Sequence, residues 1–159
     1  MNEENTVIVG IADFKIAKAP KVLKTNLGSC IAVCLYDPNR KVGGMLHFML
    51  AKAAKGAEKI KRAKYADTGM EDLISVLKKE FGVSEKELVA KVFGGAKVIK
   101  KITKKIGEEN LAAVRDILKK YGIKIIASRT GGEKGYRISF DLNTGKVRVQ
   151  IFGEEEKEY

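Results

Sequence analysis

The chain has 159 residues, which suits a single domain, and its 31 Lys and Arg against 20 Asp and Glu give a net charge of +11. No apolar run approaches the roughly 20 residues that a membrane-spanning helix needs. The N-terminal residues also lack a signal-peptide core. The sequence therefore predicts a cytoplasmic protein without membrane insertion.

Lysine supplies most of the positive charge. Six of the 31 basic residues are arginine, which leaves 25 lysines. Arginine is the side chain that base and phosphate recognition favours. We therefore expect no nucleic-acid partner. A basic nucleic-acid module is an alternative that would explain the charge and nothing else.

The first half of the chain carries strand signals. Thr6–Ile11 is a short β-branched run that predicts the first strand. Cys30–Tyr36 and Val42–Leu50 are longer apolar runs, and the Asp37–Arg40 segment between them places Asp and Pro where a β-turn favours them. These segments predict a hairpin centred on that turn.

Two helices are predicted further along the chain. Asp67 or Thr68 is a candidate N-cap, and Gly82 lies where a C-terminal cap is expected. Between them, apolar residues recur at the spacing of one helical face: Met70, Leu73, Ile74, Leu77 and Phe81. The second predicted helix is Glu108–Tyr121.

The remaining predicted strands are Val89–Phe93, Ile123–Ala127 and a C-terminal hairpin. In that hairpin, Tyr136–Leu142 and Val147–Ile151 alternate in polarity on either side of an Asn-Thr-Gly-Lys turn. Strands outnumber helices without a regular βαβ rhythm, so the predicted fold class is α+β.

We expect a single catalytic domain over residues 1–153. The remaining residues, 154–159, are mostly acidic. They predict a flexible C-terminal tail.

The chain has two cysteines, Cys30 and Cys34. In a strand their Cα atoms would be about 13 Å apart, whereas a disulfide needs about 7 Å or less. Two free thiols fit a reducing compartment. A tetrahedral zinc site would lack ligands, so we expect no metal. Neither Gly94-Gly95 nor Gly131-Gly132 has a nucleotide-loop pattern. We therefore expect both glycine pairs to form turns, and we expect no cofactor.

The single histidine, His47, is the natural partner of one cysteine. Cys30 and His47 each lie seven residues from the Asp37–Arg40 turn, so a hairpin centred there would place them directly opposite each other. Facing residues have Cβ atoms about 5 Å apart. An imidazole beside a thiol lowers the thiol pKa and equips the pair to attack an amide carbonyl. A longer loop with an even residue count would keep the two side chains on one face.

Two further features would complete such a site. The Thr25 hydroxyl is a candidate to orient the imidazole, and backbone amides near Gly28–Cys30 are candidates for an oxyanion hole. The alternative is that Cys30 is core filling and that His47 is structural. Cys34 is expected to be structural in either case.

The segment that carries this pair also resembles a known family. Leu27–Asp37, which begins Leu-Gly-Ser-Cys, and Val42–His47 resemble the signature of the CheD receptor glutamine deamidases. Further matches follow in family order over nearly the whole chain: Lys64–Thr68, Gly94–Ala96, Ile106-Gly107 with Asn110, Thr130–Gly132 and Asn143–Val147.

The resemblance implies a chemotaxis protein that hydrolyses the side-chain amide of glutamines on the cytoplasmic helices of methyl-accepting chemoreceptors, yielding glutamate and ammonia. It implies Cys30 as nucleophile, His47 as base and Thr25 as the third catalytic residue. It also implies stacked mixed β-sheets with helices on the outer faces, similar to deamidating bacterial toxins. Family members bind and stimulate the CheC phosphatase, so a regulatory partner of CheC, with or without catalysis, is the alternative. We expect the free protein to be a monomer.

Five lysines remain outside these motifs, at positions 97, 100, 101, 104 and 105. A solvated face is the simplest interpretation. Contact with acidic receptor helices is the alternative.

Overall fold

The computed structural model describes residues 3–53, 56, 61–98 and 100–159, and at residues 3 and 100–105 only the backbone is described. Ten strands and two α-helices lie in these ranges. They are β1 Thr6–Ile8, β2 Asp13–Lys18, β3 Val22–Leu27, β4 Ile31–Asp37, β5 Val42–Phe48, α1 Ala66–Phe81, β6 Val89–Gly94, α2 Lys100–Tyr121, β7 Lys124–Thr130, β8 Tyr136–Asp141, β9 Val147–Ile151 and β10 Lys157–Glu158.

The strands form two mixed sheets of five strands each. Sheet A has the order β1-β3-β8-β9-β10, and sheet B has the order β2-β5-β4-β6-β7. Each sheet contains one parallel pair, β1 with β3 and β6 with β7, and is otherwise antiparallel. The predicted α+β class is confirmed.

The elements stack in three layers. One apolar core lies between sheet B and both helices, and a second core lies between sheets A and B. Helices were expected on both outer faces, but the described helices cover sheet B alone. None of them is long and apolar enough to cross a membrane.

The central strand β4 explains the longest apolar run in the sequence. All seven of its residues are buried, since sheet B is covered on both faces. Its odd-numbered residues, such as Ile31 and Val33, face the helices, whereas Ala32 and Cys34 face sheet A.

The β4–β5 hairpin has a different register from the one predicted. Its loop has four residues, 38–41, and is closed by a 2.9 Å bond from the Lys41 amide to the Asp37 carbonyl. The Asp37 carboxylate accepts the amides of Asn39 and Arg40 inside the loop, at 2.9 and 3.3 Å. This local capping favours the longer loop over a two-residue turn.

As a result, Ala32 lies opposite His47. The prediction that Cys30 pairs directly with His47 is wrong by two residues. Because the loop has an even residue count, Cys30 and His47 still belong to the same face, the one between the sheets.

Several element boundaries also differ from the prediction. β1 ends at Ile8, and β2 and β3 were not predicted as strands. The N-cap position of helix α1 is Tyr65, which makes no side-chain capping bond, instead of Asp67 or Thr68. Gly82 is the predicted C-cap, with φ of 67° and its amide bonded to the Lys78 carbonyl.

Helix α2 begins at Lys100, eight residues before its predicted start at Glu108. Lysine is a good helix former, so the basic segment extends the helix instead of preceding it. The side chains of four of the five clustered lysines, Lys100, Lys101, Lys104 and Lys105, lie outside the described residues.

The C-terminal segment 154–159 is partly paired. Lys157 and Glu158 form β10 against Val149 and Arg148 of β9. The Lys91 ammonium donates to the backbone carbonyl of Tyr159 at 2.9 Å. These contacts attach the segment that the composition alone predicted to be flexible.

Candidate active site

A hydrogen bond between Thr25 and His47 links the two sheets. Thr25 comes from β3 of sheet A and His47 from β5 of sheet B, and Thr25 Oγ1 lies 2.8 Å from His47 Nδ1. Both residues are buried, at 6% and 1% exposure. The bond therefore holds the imidazole between the sheets in one orientation.

The same contact determines which imidazole nitrogen carries the proton. The single hydroxyl hydrogen of Thr25 is donated to the Val9 carbonyl at 2.7 Å. Oγ1 can then only accept from His47, so Nδ1 is protonated. In the neutral ring, Nε2 carries the lone pair. Nε2 is buried and has no hydrogen-bond partner among the described residues.

Burial keeps this imidazole neutral. It lowers the pKa of His47 from 6.5 to about 4, because the low-dielectric interior disfavours the charged ring. Burial likewise raises the pKa of the half-buried Cys30 thiol. The resting site therefore holds a neutral thiol and a neutral imidazole. This differs from the predicted lowering of the thiol pKa by a neighbouring imidazolium.

Cys30 lies in the short segment by which the chain crosses from sheet A to sheet B. It follows the end of β3 at Leu27 and directly precedes β4. Its position is one step diagonal to the Ala32–His47 pair, where side chains on one face are about 7 Å apart. Cys30 and His47 are therefore neighbours on one face, and no hydrogen bond joins them.

Two glycine pairs support the Cys30 segment through backbone hydrogen bonds. The amide of Gly95 donates to the Cys30 carbonyl, and the amide of Ala96 donates to the Gly28 carbonyl, both at 2.9 Å. Gly131 in turn donates to the Gly94 carbonyl at 2.9 Å. The Gly94-Gly95 and Gly131-Gly132 motifs, predicted only as turns, thus also support the segment that carries Cys30.

Gly94 is required at its position for two reasons. Its φ of +108° disfavours any residue with a side chain. A Cβ at this position would also lie 2.4 Å from the Cys30 carbonyl oxygen. The close approach of β6 to the Cys30 segment therefore depends on the absence of a side chain.

The amides of the Cys30 segment remain open. The N–H groups of Gly28, Ser29 and Cys30 donate no hydrogen bond to another described residue, whereas the Gly28 and Cys30 carbonyls are both engaged. Open backbone amides beside a thiol are the donors that a developing oxyanion needs.

The segment after His47 is held by the Lys64–Asp67 stretch and by α2. The amides of Met49 and Leu50 donate to the Lys64 carbonyl at 2.9 and 3.1 Å. Asn110, buried in α2, donates its side-chain amide to the Met49 carbonyl at 2.8 Å. The sequence indicates Asn110 only as part of a family motif. Its role depends on a contact with Met49, which is distant in the chain. The Ala66 amide donates to the Leu50 carbonyl at 2.9 Å. The Lys64–Asp67 stretch therefore both begins α1 and supports the segment after His47.

Two cavities open beside the site. One of about 510 Å³ is lined by Thr25 and His47 together with Ile8, Val9, Gly10, Ile11, Lys24, Asn26 and Arg137. The other, of about 880 Å³, extends from Gly28 of the Cys30 segment towards Val98 and Phe152. Asn26 and Arg137 line both cavities. These two residues, which border both cavities, are named the Asn26–Arg137 ridge.

Comparison with known proteins identifies the family. A family model described as CheD chemotactic sensory transduction matches residues 49–151. The probable chemoreceptor glutamine deamidase CheD of Caldanaerobacter subterraneus subsp. tengcongensis is 41% identical over 156 residues, covering 95% of this chain and 96% of the relative. The corresponding protein of Pyrococcus abyssi is 43% identical over 146 residues, covering 89% of both chains.

The chemoreceptor glutamine deamidase CheD of Thermotoga maritima is 40% identical over 147 residues, covering 92% of both chains. Among solved structures, the Bacillus licheniformis hypothetical protein YfiH aligns with a TM-score of 0.48 and 14% identity over 76% of this chain. The aligned region spans about half of that protein, 49% of its length. The family model and the curated relatives confirm the predicted resemblance: the chain belongs to the CheD family of chemotaxis proteins.

Proposed function

We propose that this protein hydrolyses the side-chain amide of glutamines on chemoreceptors, with Cys30 as nucleophile, His47 as base and Thr25 as the residue that orients the base. The observation that carries the proposal is the Thr25–His47 hydrogen bond. It leaves Nε2, the nitrogen with the free lone pair, without a described partner, and Cys30 packs against the same core between the sheets.

In the first step the Cys30 sulfur attacks the side-chain carbonyl carbon of the glutamine while His47 Nε2 takes the thiol proton, and a carbon–sulfur bond forms. The carbonyl oxygen becomes an oxyanion, which the open amides of Gly28, Ser29 and Cys30 are placed to receive. Since both partners begin neutral, His47 acts as a general base during the attack instead of forming an ion pair beforehand.

The second step releases ammonia. The protonated His47 gives its proton to the amide nitrogen, the carbon–nitrogen bond breaks, and a thioester remains on Cys30. Water then attacks the thioester carbon while Nε2 accepts one of its protons. The carbon–sulfur bond breaks, the sulfur takes that proton from Nε2, and the products are glutamate and the free thiol. One water is consumed and one ammonia leaves, so the reaction balances without a cofactor.

Cys34 has a structural role in this proposal. It is 1% exposed in the middle of β4, and burial strongly raises the pKa of its thiol. A substrate would have to separate the two sheets to reach it. Cys34→Ala is therefore the matched control for Cys30→Ala.

The test is ammonia release from a receptor cytoplasmic fragment, with intact-mass analysis of that fragment. Each deamidation adds about one dalton and exchanges a neutral amide for an ionisable carboxyl group. We expect the native protein and Cys34→Ala to release ammonia and Cys30→Ala to release none. Activity that survives in Cys30→Ala, or that is absent from the native protein on several receptors, would reject the proposal.

A second role, binding of the CheC phosphatase, is favoured by exposed apolar side chains beside the larger cavity. Phe152 is 75% exposed and Val98 is 48% exposed, which is the kind of surface that protein partners cover. We expect Phe152→Ser to weaken CheC binding in a titration, while Ile126→Ser, which changes a side chain of 50% exposure on β7, leaves it unchanged. Equal binding by both variants would reject this surface.

A receptor substrate and two free thiols fit a cytoplasmic protein, and we expect it to act as a monomer when CheC is absent. The family resemblance also implies a likeness to deamidating bacterial toxins. The feature that this protein and the toxins would share is a Cys–His amidohydrolase site.

A further inference from the structure

The cavity that contains His47 and Thr25 is lined by two cationic residues, Lys24 and Arg137. None of its other described lining residues carries a charge, since the His47 imidazole is neutral. In particular, no described lining residue is acidic. A cavity with two cations and no carboxylate favours an anionic group in the ligand that enters it.

Arg137 is one of two arginines without a described acidic partner, and the other, Arg115, lies on α2, away from this cavity. Four of the six arginines form ion pairs, with Asp37, Asp72, Glu154 and Glu158 among their partners. Arg137 forms none with a described carboxylate, and its side chain is exposed. Its guanidinium is therefore free to bind a carboxylate from another molecule through two parallel hydrogen bonds.

The backbone places Arg137 close to the reacting residues. It lies on β8 opposite Asn26, and the next pair along these strands is Thr25 with Ile138. The side chains of Thr25 and Ile138 point between the sheets, whereas those of Asn26 and Arg137 point to the open outer face of sheet A. Arg137 is thus one strand position from the residue that orients His47.

Arg137 also borders both cavities beside the site. It lines both the cavity that contains His47 and the cavity that begins at Gly28 of the Cys30 segment. A substrate that places one side chain at Cys30 and its neighbours in the two cavities crosses the Asn26–Arg137 ridge. The residues that flank the target glutamine then face the guanidinium.

We propose that Arg137, supported by Lys24, binds a carboxylate that flanks the target glutamine, so that the enzyme selects glutamines in acidic sequence. This inference rests on the proposed function and specifies the chemistry of its substrate. Arg137 is a specificity residue that acts on substrate binding. An exposed charge pair is worth a few-fold in affinity, so its effect is expected mainly in KM.

The kinetic test uses receptor fragments that keep one target glutamine while its flanking glutamates are changed to Ala or Lys. For the native enzyme we expect kcat/KM to fall about three- to tenfold with the Ala fragment. We expect Arg137→Glu to lose activity on the acidic fragment and to recover it on the Lys fragment. Arg137→Lys keeps the charge but loses the two parallel N–H donors of the guanidinium. Its kcat/KM on the acidic fragment should therefore fall between those of the native enzyme and Arg137→Glu.

The matched control is Arg115→Glu. Arg115 is exposed on α2, on the far side of sheet B, and it makes the same change in net charge away from the site. Indistinguishable kinetics of Arg137→Glu and Arg115→Glu on all three fragments would overturn the inference. Ammonia release that is indifferent to the flanking charge would overturn it too, while leaving the proposed function intact.

If no ammonia is released, a binding measurement tests the role of Arg137 separately from the deamidase function. The Cys30→Ala protein is titrated with the acidic fragment at low and high salt, with and without Arg137→Glu. We expect Arg137→Glu to weaken binding about three- to tenfold at low salt, and high salt to remove the difference because it screens exposed charges. Binding that depends on Arg137 without catalysis would sustain the inference and reject the deamidase, whereas binding independent of Arg137 would reject the inference.

Discussion

Thr25 and His47 are 22 residues apart in the chain and belong to different sheets, yet a 2.8 Å hydrogen bond joins Oγ1 of one to Nδ1 of the other. The Thr25 hydroxyl hydrogen is directed to the Val9 carbonyl, so the bond selects one imidazole tautomer. The base strength that the site offers to Cys30 therefore depends on a threonine that need not touch the substrate.

Thr25→Val should separate this orienting role from packing, since the two side chains have the same shape. We expect kcat to fall about 10- to 100-fold, as part of the contribution of a general base is lost. The buried Nδ1–H loses its acceptor, which should cost about 1–3 kcal/mol in the free energy of unfolding. Thr25→Ser keeps the hydroxyl and should retain most of the activity. Ammonia release measured across pH checks this, and an unchanged pH profile in Thr25→Val would contradict the assigned role.

The lowered pKa of His47 predicts that acid destabilises the fold. The unfolded histidine binds a proton below its ordinary pKa of 6.5, whereas the folded one does so only below about 4. Between these values the unfolded state holds more protons, so stability that is fully present above pH 6.5 is lost as the pH falls towards 4. Urea unfolding at several pH values measures this slope.

The control for that slope is His47→Gln, which cannot be protonated. Its free energy of unfolding should depend less on pH within the same window. Parallel curves for the native protein and the variant would show that other groups cause the acid sensitivity.

The raised pKa of Cys30 predicts slow alkylation at neutral pH. Only the thiolate reacts with iodoacetamide, so the rate should be low near pH 7 and should climb as the pH approaches and passes the ordinary thiol value of 9.0. Intact mass should show one adduct in the native protein and in Cys34→Ala, and none in Cys30→Ala. Rapid alkylation at pH 6 would indicate a preformed thiolate–imidazolium pair instead.

Gly94→Ala should disrupt the segment that carries Cys30. The new methyl group would meet the Cys30 carbonyl at 2.4 Å, and φ is +108°. Strain and overlap together should cost about 3 kcal/mol or more. The activity that survives should be low, because the open amides move with the segment. Thermal unfolding and ammonia release measure the two effects.

Gly122→Ala provides the matched control for Gly94→Ala. Its φ of +71° is also in the left-handed region, but nothing lies within 4 Å of the added Cβ. We expect a cost of about 1 kcal/mol and unchanged kcat. Equal loss of stability in the two variants would mean that backbone conformation alone matters at Gly94.

Local patterns in the sequence predicted much of this protein. Apolar periodicity identified both helices, and Gly82 marked the end of α1 because a left-handed cap favours glycine. The β4 run and the C-terminal hairpin were readable because residue alternation and turn chemistry act over a few positions. The family motifs indicated Cys30, His47 and Thr25 as candidates through their residue types and order.

The tertiary structure alone decided how those residues meet. The pairing of Ala32 with His47 depends on a four-residue loop closed by Asp37, and a count of residues on either side of a turn does not reveal the loop length. The Thr25–His47 bond, the support of Cys30 by Gly95 and the anchoring of Met49 by Asn110 all join residues distant in the chain. Such contacts arise when two sheets and a helix pack together, because packing brings together side chains whose separation in sequence carries no periodic signal.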